Sequence, residues 1–457
     1  MKLKYFFFFI FIFCLLVSLT SLNAVEDNNT VEKTTNIQKT EVEKDTQIIT
    51  NNKEVKTSSK TIVLNNTNFK NYVTDSKFNE NVTDGDTIDI DGKLDSPKFN
   101  LTINKAVNLI SSKNNSYINL NSSSNPTENN GALKIIKEGS GTNITGLYFH
   151  NTHIRIENTS NVHIDNITFI NENQSIGFNI GAISVRDGSE NVNITNSYFK
   201  TENNGGHSNV VFGVAYNCLF ENNTVEGYGN SIGNLLYITT YNVDETITPY
   251  TNINITIRNN NIKSINTPKE LAICVGMVLE GQGHIIENNV INRTGTAIMA
   301  QYSDSNYGTT TELNEIKFIN NTVYNGVSSL KFPGIIANNS FDSLVQLSNI
   351  ECSNNTFTNV SINDNVNFQE NFANNLIING ENNTINNNTI YSDKEFAITL
   401  TGENNILSNN SIGSTTKRAE NAVNNSTQYT SINNNKSPIF LITEENIDNY
   451  IEPAIVN

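Results

Sequence analysis

The chain has no tryptophan, 7 prolines, 4 cysteines and 5 histidines in 457 residues. Only 16% of it is charged, and acidic residues outnumber basic ones, 45 to 29. Each shortage excludes something. So few prolines exclude collagen, and so few charges exclude a coiled coil. A net charge of −16 argues against nucleic-acid binding, which draws on a basic face. Cys14 falls in an N-terminal apolar run, which leaves Cys218, Cys274 and Cys352. That odd, widely spaced set is neither a disulfide framework nor a metal-spaced pair. Each sits in an apolar, strand-like context and reads as a small buried hydrophobe. What the chain has instead is asparagine, about a fifth of all residues, with abundant Ser, Thr, Ile and Val. The β-branched excess argues against an all-helical protein.

Met1 to Lys4 is basic, Tyr5 to Leu19 is almost wholly apolar, and small residues follow up to Ala24. This is the layout of a secretory signal peptide over 1–24, with an uncleaved anchor as the alternative. Without it the exported part carries 27 basic and 45 acidic residues, a net −18. No second apolar run of spanning length follows. The expected location is therefore extracellular or at the cell surface. The membrane is touched only through the N-terminal segment if that stays uncleaved. Residues 25–60 are too polar to bury a core and read as a disordered tether. A cap with first coils is expected over 61–142, including a short amphipathic turn at Thr67 to Val73.

From about 143 to 437 one pattern recurs: apolar-x-Asn-x-x-apolar. Ile164 to Phe169, Ile194 to Phe199, Phe220 to Val225, Ile257 to Ile262 and Ile286 to Ile291 are copies. So are Phe318 to Val323, Ile336 to Phe341, Cys352 to Phe357, Ile385 to Ile390 and Leu407 to Ile412. The first Asn of each is Asn166, Asn196, Asn222, Asn259, Asn288, Asn320, Asn338, Asn354, Asn387 and Asn409. Gly146 takes the place in an earlier variant. A second alternating element often follows, as at Ala182 to Val185 and Leu235 to Ile238. Short strands sharing one turn signature point to an all-β, right-handed parallel β-helix solenoid. Asn tolerates the left-handed backbone of a tight corner, and stacked side-chain amides can bond along the axis. These ten Asn are accordingly expected to serve as turn and ladder residues. About 14 coils at ~4.8 Å each would make a rod.

Ile62 to Val73 aligns without gaps to Phe440 to Ile451, with Asn68, Asn71 and Tyr72 repeated as Asn446, Asn449 and Tyr450. Residues 438–457 thus read as the start of a second, truncated module or as a C-terminal cap.

With signal, polar tether, the Asp84-Gly85-Asp86-Thr87 opening and the Asn-Asn-x-apolar coils, the chain resembles a known group. These are the Asn/Thr-rich adhesin-like surface proteins of gut methanogenic archaea, within the pectate-lyase-like parallel β-helix superfamily. The resemblance spans most of 62–451. It implies display outside the cell and adhesion, with a glycan or cell-surface ligand as partner. A monomer is expected.

A polysaccharide lyase, epimerase or hydrolase of the same fold is the rival. Lyases of this shape need an acidic Ca²⁺ cluster and a basic residue; hydrolases need two or three carboxylates around the bond. The candidates are Glu280 with His284 and Glu287, Arg293 with Asp304, and Arg186-Asp187. Acidic residues on a solenoid are more often simply solvated, so a catalytic set is not expected. Gly281 and Gly283 suit a turn. His150, His153 and His163 lack acidic or Cys partners at ligand spacing, and are expected to face solvent. Asp84, Asp86, Asp89 and Asp91 hint at Ca²⁺ but lack the EF-hand spacing, and read as a polar turn and strand face. No cofactor is expected. A spacer without a ligand is a third reading. About two dozen Asn-x-Ser/Thr sequons occur. Where they coincide with an inward or turn Asn of the repeat, a glycan is expected to clash; exposed ones are open to modification.

Overall fold

The computed structural model divides into two units, Met1–Thr57 and Ser58–Asn457. It describes residues 59–95, 100–120, 132–171, 182–201, 209–227, 234–239, 253–264, 275–294, 296–301, 313–325, 336–339, 347–359, 374–392, 396–401, 404–414, 429–433 and 439–441. The signal, nearly all of the tether, Cys274, Asp304 and the chain after Leu441 lie outside these. Among the described residues, no helix is long and apolar enough to cross a membrane.

The body is a parallel β-helix. Three short strands per coil feed three parallel sheets. The first sheet has 14 strands, from Thr61–Leu64 to Tyr429–Asn433. The second has 12, from Lys93–Asp95 to Ser411–Ser414. The third has 11, ending at Ile336–Asn339, with a further 5-stranded sheet ending at Ile439–Leu441. One coil runs Asn193–Thr195, Tyr198–Thr201, Val210–Tyr216, one strand for each sheet in turn. Coil-to-coil register places like on like: Ile164, Ile194, Phe220 and Ile257 stack in the first sheet. Phe149, Phe169, Phe199 and Val225 stack in the second, with ring centroids 6.5 and 6.3 Å apart along the Phe run. These side chains are fully buried. At about 1.5–3 kcal/mol for each large apolar chain, this column is the main cohesive force.

Alternation fixes which residue points in, and two left-handed corners per coil keep the phase. The corner between first and second sheets uses Asn166, Asn196, Asn222, Asn259, Asn288, Asn320, Asn354, Asn387 and Asn409, at φ between 51° and 58°. Gly146 precedes them at φ 67°. The corner between third and first sheets uses Asn161, Asn191, Asn217, Asn254, Gly283, Glu315, Asn349, Asn382 and Asn404, all at positive φ. A Cβ at Gly283 would meet the Asn254 Oδ1, so a larger residue there would have to displace that side chain.

The structure moves the axial ladder one residue on from where the repeat suggested it. The corner Asn point outward and are exposed, with only occasional links such as Asn222 Nδ2 donating to Asn196 Oδ1 at 3.3 Å. The buried ladder is Asn223, Asn260, Asn289, Asn321, Asn355, Asn388 and Asn410. Asn289 Oδ1 accepts the Asn260 N–H at 2.9 Å, and Asn289 Nδ2 donates to the Ile257 carbonyl at 2.9 Å. The reason is local: a left-handed residue turns its side chain to solvent, and the next one faces the core. Asn338 is not part of the series. It lies within the strand Ile336–Asn339 of the third sheet, paired with Ala300. The first-sheet strands Lys317–Ile319 and Glu351–Ser353 pair directly, so Asn320 and Asn354 are corners of adjacent coils.

At the N-terminal end a helix, Phe69–Tyr72, packs Phe69 and Tyr72 partly against the core. The described starts of the two matching segments take different places. Thr61–Leu64 opens the first sheet, whereas Ile439–Leu441 pairs with Phe396–Thr401 at the end of the third sheet's continuation.

Candidate functional site

Among the described residues, the enzyme candidates Glu280, Glu287 and Arg293 lie at three different sheets. Glu280 follows the third-sheet strand Val275–Leu279, Glu287 closes a first-sheet strand, and Arg293 lies in the second-sheet strand Val290–Thr294. His284 is fully buried at the interior corner position. Its Nδ1 accepts the Ile255 N–H at 3.1 Å, so its Nε2 carries the proton and donates to the Glu280 carbonyl at 2.9 Å. Burial pulls its pKa down to about 4, only partly countered by that bond. Both ring nitrogens are committed, and the residue is a ladder member in imidazole form. Glu280 is itself buried. Glu287 lies 3.9 Å from Arg258, which clasps Glu221 at 2.7 and 3.1 Å. These three form an axial charge ladder on the first sheet, and the hydrogen bond to Glu221 raises the Arg258 pKa further.

Arg186 and Asp187 sit at a bulge in the third-sheet strand Ile183–Glu190, where Asp187 and Gly188 both take positive φ. Arg186 is buried and in register with Glu157, which pairs with Arg155. His150, His153 and His163 fall on the second, third and first sheets respectively. His163 is exposed as expected and His150 half-buried, but His153, at 5% exposure, is buried, as are Arg155 and Arg186 on the same sheet.

The acidic run is accounted for by the fold. Asp86 is buried and accepts the Lys60 N–H at 3.0 Å, the Thr83 N–H at 2.8 Å and the Thr83 hydroxyl at 3.1 Å. Burial raises its pKa, but these bonds and the Lys60 charge outweigh that and hold the carboxyl below its usual range. Asp84 accepts the Ala106 N–H at 2.8 Å, Asp89 accepts Ser112, and Asp91 pairs with Lys113 at 2.7 Å. Among the described residues, no group of three or more His, Cys, Asp or Glu is placed to hold a metal. Cys218 and Cys352 carry free, buried thiols, with burial pushing each pKa up to about 12.

Sequence reasoning missed a strip of rings on the outer face of the second sheet. Lys93, Tyr117, Tyr148, Thr168 and Tyr198 stand in one axial row, one per coil. His150 stands beside Tyr148 on the same face. All the rings are half-buried. Tyr117 meets Tyr148 edge-on at 6.2 Å, Tyr148 stacks with His150 at 6.3 Å, and Lys93 Nζ lies 5.4 Å from the Tyr117 ring. Tyr198 donates its hydroxyl to Glu226 at 2.9 Å, and Glu226 faces Lys263 at 3.8 Å. The signal was in the repeat: Tyr directly before the inward apolar residue, as in Tyr117-Ile118, Tyr148-Phe149 and Tyr198-Phe199. A ring there must face out.

No protein-family model and no curated protein matches the chain. Among solved structures it is similar to the surface protein and adhesin PfbA of Streptococcus pneumoniae, at TM-score 0.44 and 15% identity, over 79% of this chain and 88% of that one. It is similar also to a tailspike protein of E. coli bacteriophage HK620 in complex with a pentasaccharide (TM-score 0.40, 12% identity, 73% and 57% covered). A third is DFA-IIIase from Arthrobacter chlorophenolicus A6 without its lid (TM-score 0.39, 12% identity, 77% and 88% covered). These likenesses concern the fold alone.

Proposed function

We propose that the chain is a non-catalytic, adhesin-like protein, exported and displayed outside the cell, whose β-helix surface binds glycans as a monomer. The ring strip of Tyr117, Tyr148, His150 and Tyr198 carries this reading. Sugar rings have apolar C–H faces and polar rims. A half-exposed tyrosine offers a flat apolar body with a polar tip, which suits both. Rings one and two coils apart, at about 4.8 and 9.6 Å of axial rise, offer repeated contact surfaces along one extended chain. Lys93, Glu226 and Lys263 at the margins supply hydrogen-bonding groups for the hydroxyls. The export signal and the resemblance to archaeal adhesin-like proteins are consistent with it.

The test incubates the purified chain with a polysaccharide panel, with and without Ca²⁺, and reads bound protein and new chain ends from the same tubes. The expected result is binding without new ends, weakened at least tenfold in Tyr148→Ala at an unchanged melting temperature. New chain ends would make the protein an enzyme. Undiminished binding by Tyr148→Ala would move the site off the second sheet.

A further inference from the structure

The corner between the first and second sheets has a built-in frame. Its exposed Asn is followed by a core-facing residue, and then by the first outward residue of the next strand. Where that third residue is Thr or Ser, the corner reads Asn-x-Ser/Thr. This occurs at Asn166, Asn222, Asn320, Asn354, Asn387 and Asn409, all exposed, at φ between 52° and 57°. The buried ladder Asn never carries the motif, because two residues after it comes the apolar strand residue: Val225 after Asn223, Val323 after Asn321, Phe357 after Asn355. The fold thus separates an outward amide with a hydroxyl at the required spacing from an inward amide without one. The outward turn Asn have room for a glycan, contrary to the clash expected from the repeat alone.

We infer that this corner is a row of N-linked glycan attachment sites, with Asn166 and Asn222 as its principal acceptors. Their nearest corner neighbours lack the hydroxyl: Asn196 is followed by Ser197-Tyr198, and Asn259 by Asn260-Asn261. The two acceptors are therefore two coils, about 10 Å, apart. Asn320, Asn354, Asn387 and Asn409 stand on successive coils about 5 Å apart, where adjacent glycans crowd, so alternate occupancy is expected. The donor class is an oligosaccharide on a polyprenyl phosphate or pyrophosphate. Asn Nδ2 attacks the anomeric carbon and the N–C bond forms. The anomeric C–O bond breaks, and the lipid phosphate leaves with the bonding pair while the amide loses one proton. The remaining N–H of Asn222 can keep its bond to Asn196 Oδ1. Thr168 stands between Tyr148 and Tyr198 in the second sheet, so a glycan on Asn166 borders the ring strip.

This inference shares only export with the functional reading, and its test does not depend on ligand binding. The chain is purified from the cells that make it, digested, and its Asn166 and Asn222 peptides weighed. Both are expected to carry saccharide mass. Thr168→Val and Thr224→Val keep the corner Asn and the β-branched strand residue. Each should lose its own addition and no other, with the melting temperature held, while Thr224→Ser should retain it. Bare peptides at both positions, or additions that survive Thr224→Val, would overturn the assignment.

Discussion

The coils up to Thr201 and those from Leu219 onward share one backbone but are cohered differently. At the core-facing corner position the early coils place Leu147, Ile167 and Ser197; the later ones place Asn223, Asn260, Asn289, Asn321, Asn355, Asn388 and Asn410. The early coils fill the second-sheet core with Phe149, Phe169 and Phe199; the later ones mostly use smaller Val225, Ile262, Ile291 and Val323. Where the core is thick with rings, the corner is Leu, Ile or the small Ser197, with no amide. Where the core is thinner, amides hydrogen-bonded from coil to coil take over. The half with the aromatic core also carries the Tyr strip outside. A strand position can therefore be spent on packing or on display according to its parity, and the two uses coexist on one strand.

Breaking the aromatic half should cost most. Phe199→Ala removes a ring between Phe169 and Phe220 and should lower stability by about 3–5 kcal/mol in chemical denaturation. The ladder half should fail through hydrogen bonding instead. Asn289→Leu keeps volume but leaves the Asn260 N–H without its side-chain acceptor and the Ile257 carbonyl without its side-chain donor, at about 3 kcal/mol. If Asn289→Leu were neutral, the ladder would be ornamental and the contrast between the halves would collapse.

His284 sharpens the contrast, because it places a titratable ring where other coils use Ile255 or Asn383. In the unfolded chain this histidine takes up a proton near pH 6.5; in the fold, burial resists it until about 4. The unfolded state thus binds more protons between those values, and stability must fall as pH drops from 6.5 to 4. The loss is on the order of 2–3 kcal/mol. His284→Asn offers Oδ1 to the Ile255 N–H, as Asn383 does to Ile350 at 2.9 Å. It should flatten the melting temperature over that window; an unchanged slope would mean other groups control it.

The solenoid was legible because its rule is periodic: an apolar residue every second position, then Asn, repeated from Ile164 to Ile412. The corner role of Asn follows from backbone chemistry that any sequence reader can apply. The one-residue error in the ladder arose because Asn-Asn pairs leave the inward member undetermined until the chain's curvature is known. Asn338 mimicked the motif because Ile336, Asn338 and Phe341 happen to match its spacing, and only the pairing of Ile336–Asn339 with the third sheet reveals the difference. His284 was a weak catalytic candidate beside Gly281 and Gly283; the turn those glycines suit carries it into the core, and burial is a property of the whole coil. The Tyr strip needs stacking of Tyr117 on Tyr148, 31 residues apart in sequence, which only the coil register supplies.

The smallest predicted effect isolates backbone from side chain. Asn288 and Asn289 are neighbours in one corner, one exposed at φ 57°, the other buried. The Asn288 N–H bonds the Ile319 carbonyl at 3.1 Å whatever its side chain is, so the residue type matters only through the left-handed cost. Asn288→Ala should therefore destabilise by about 1 kcal/mol. Asn288→Gly should stay within about 0.5 kcal/mol, because glycine's ease at positive φ offsets its extra chain entropy. Gly146 already fills the same corner in an earlier coil. A melting order of Asn, then Gly close behind, then Ala is the expected outcome. If Ala matched Gly, the outward Asn would be held by its side-chain contacts rather than its backbone, and the division of labour within each Asn-Asn pair would have to be redrawn.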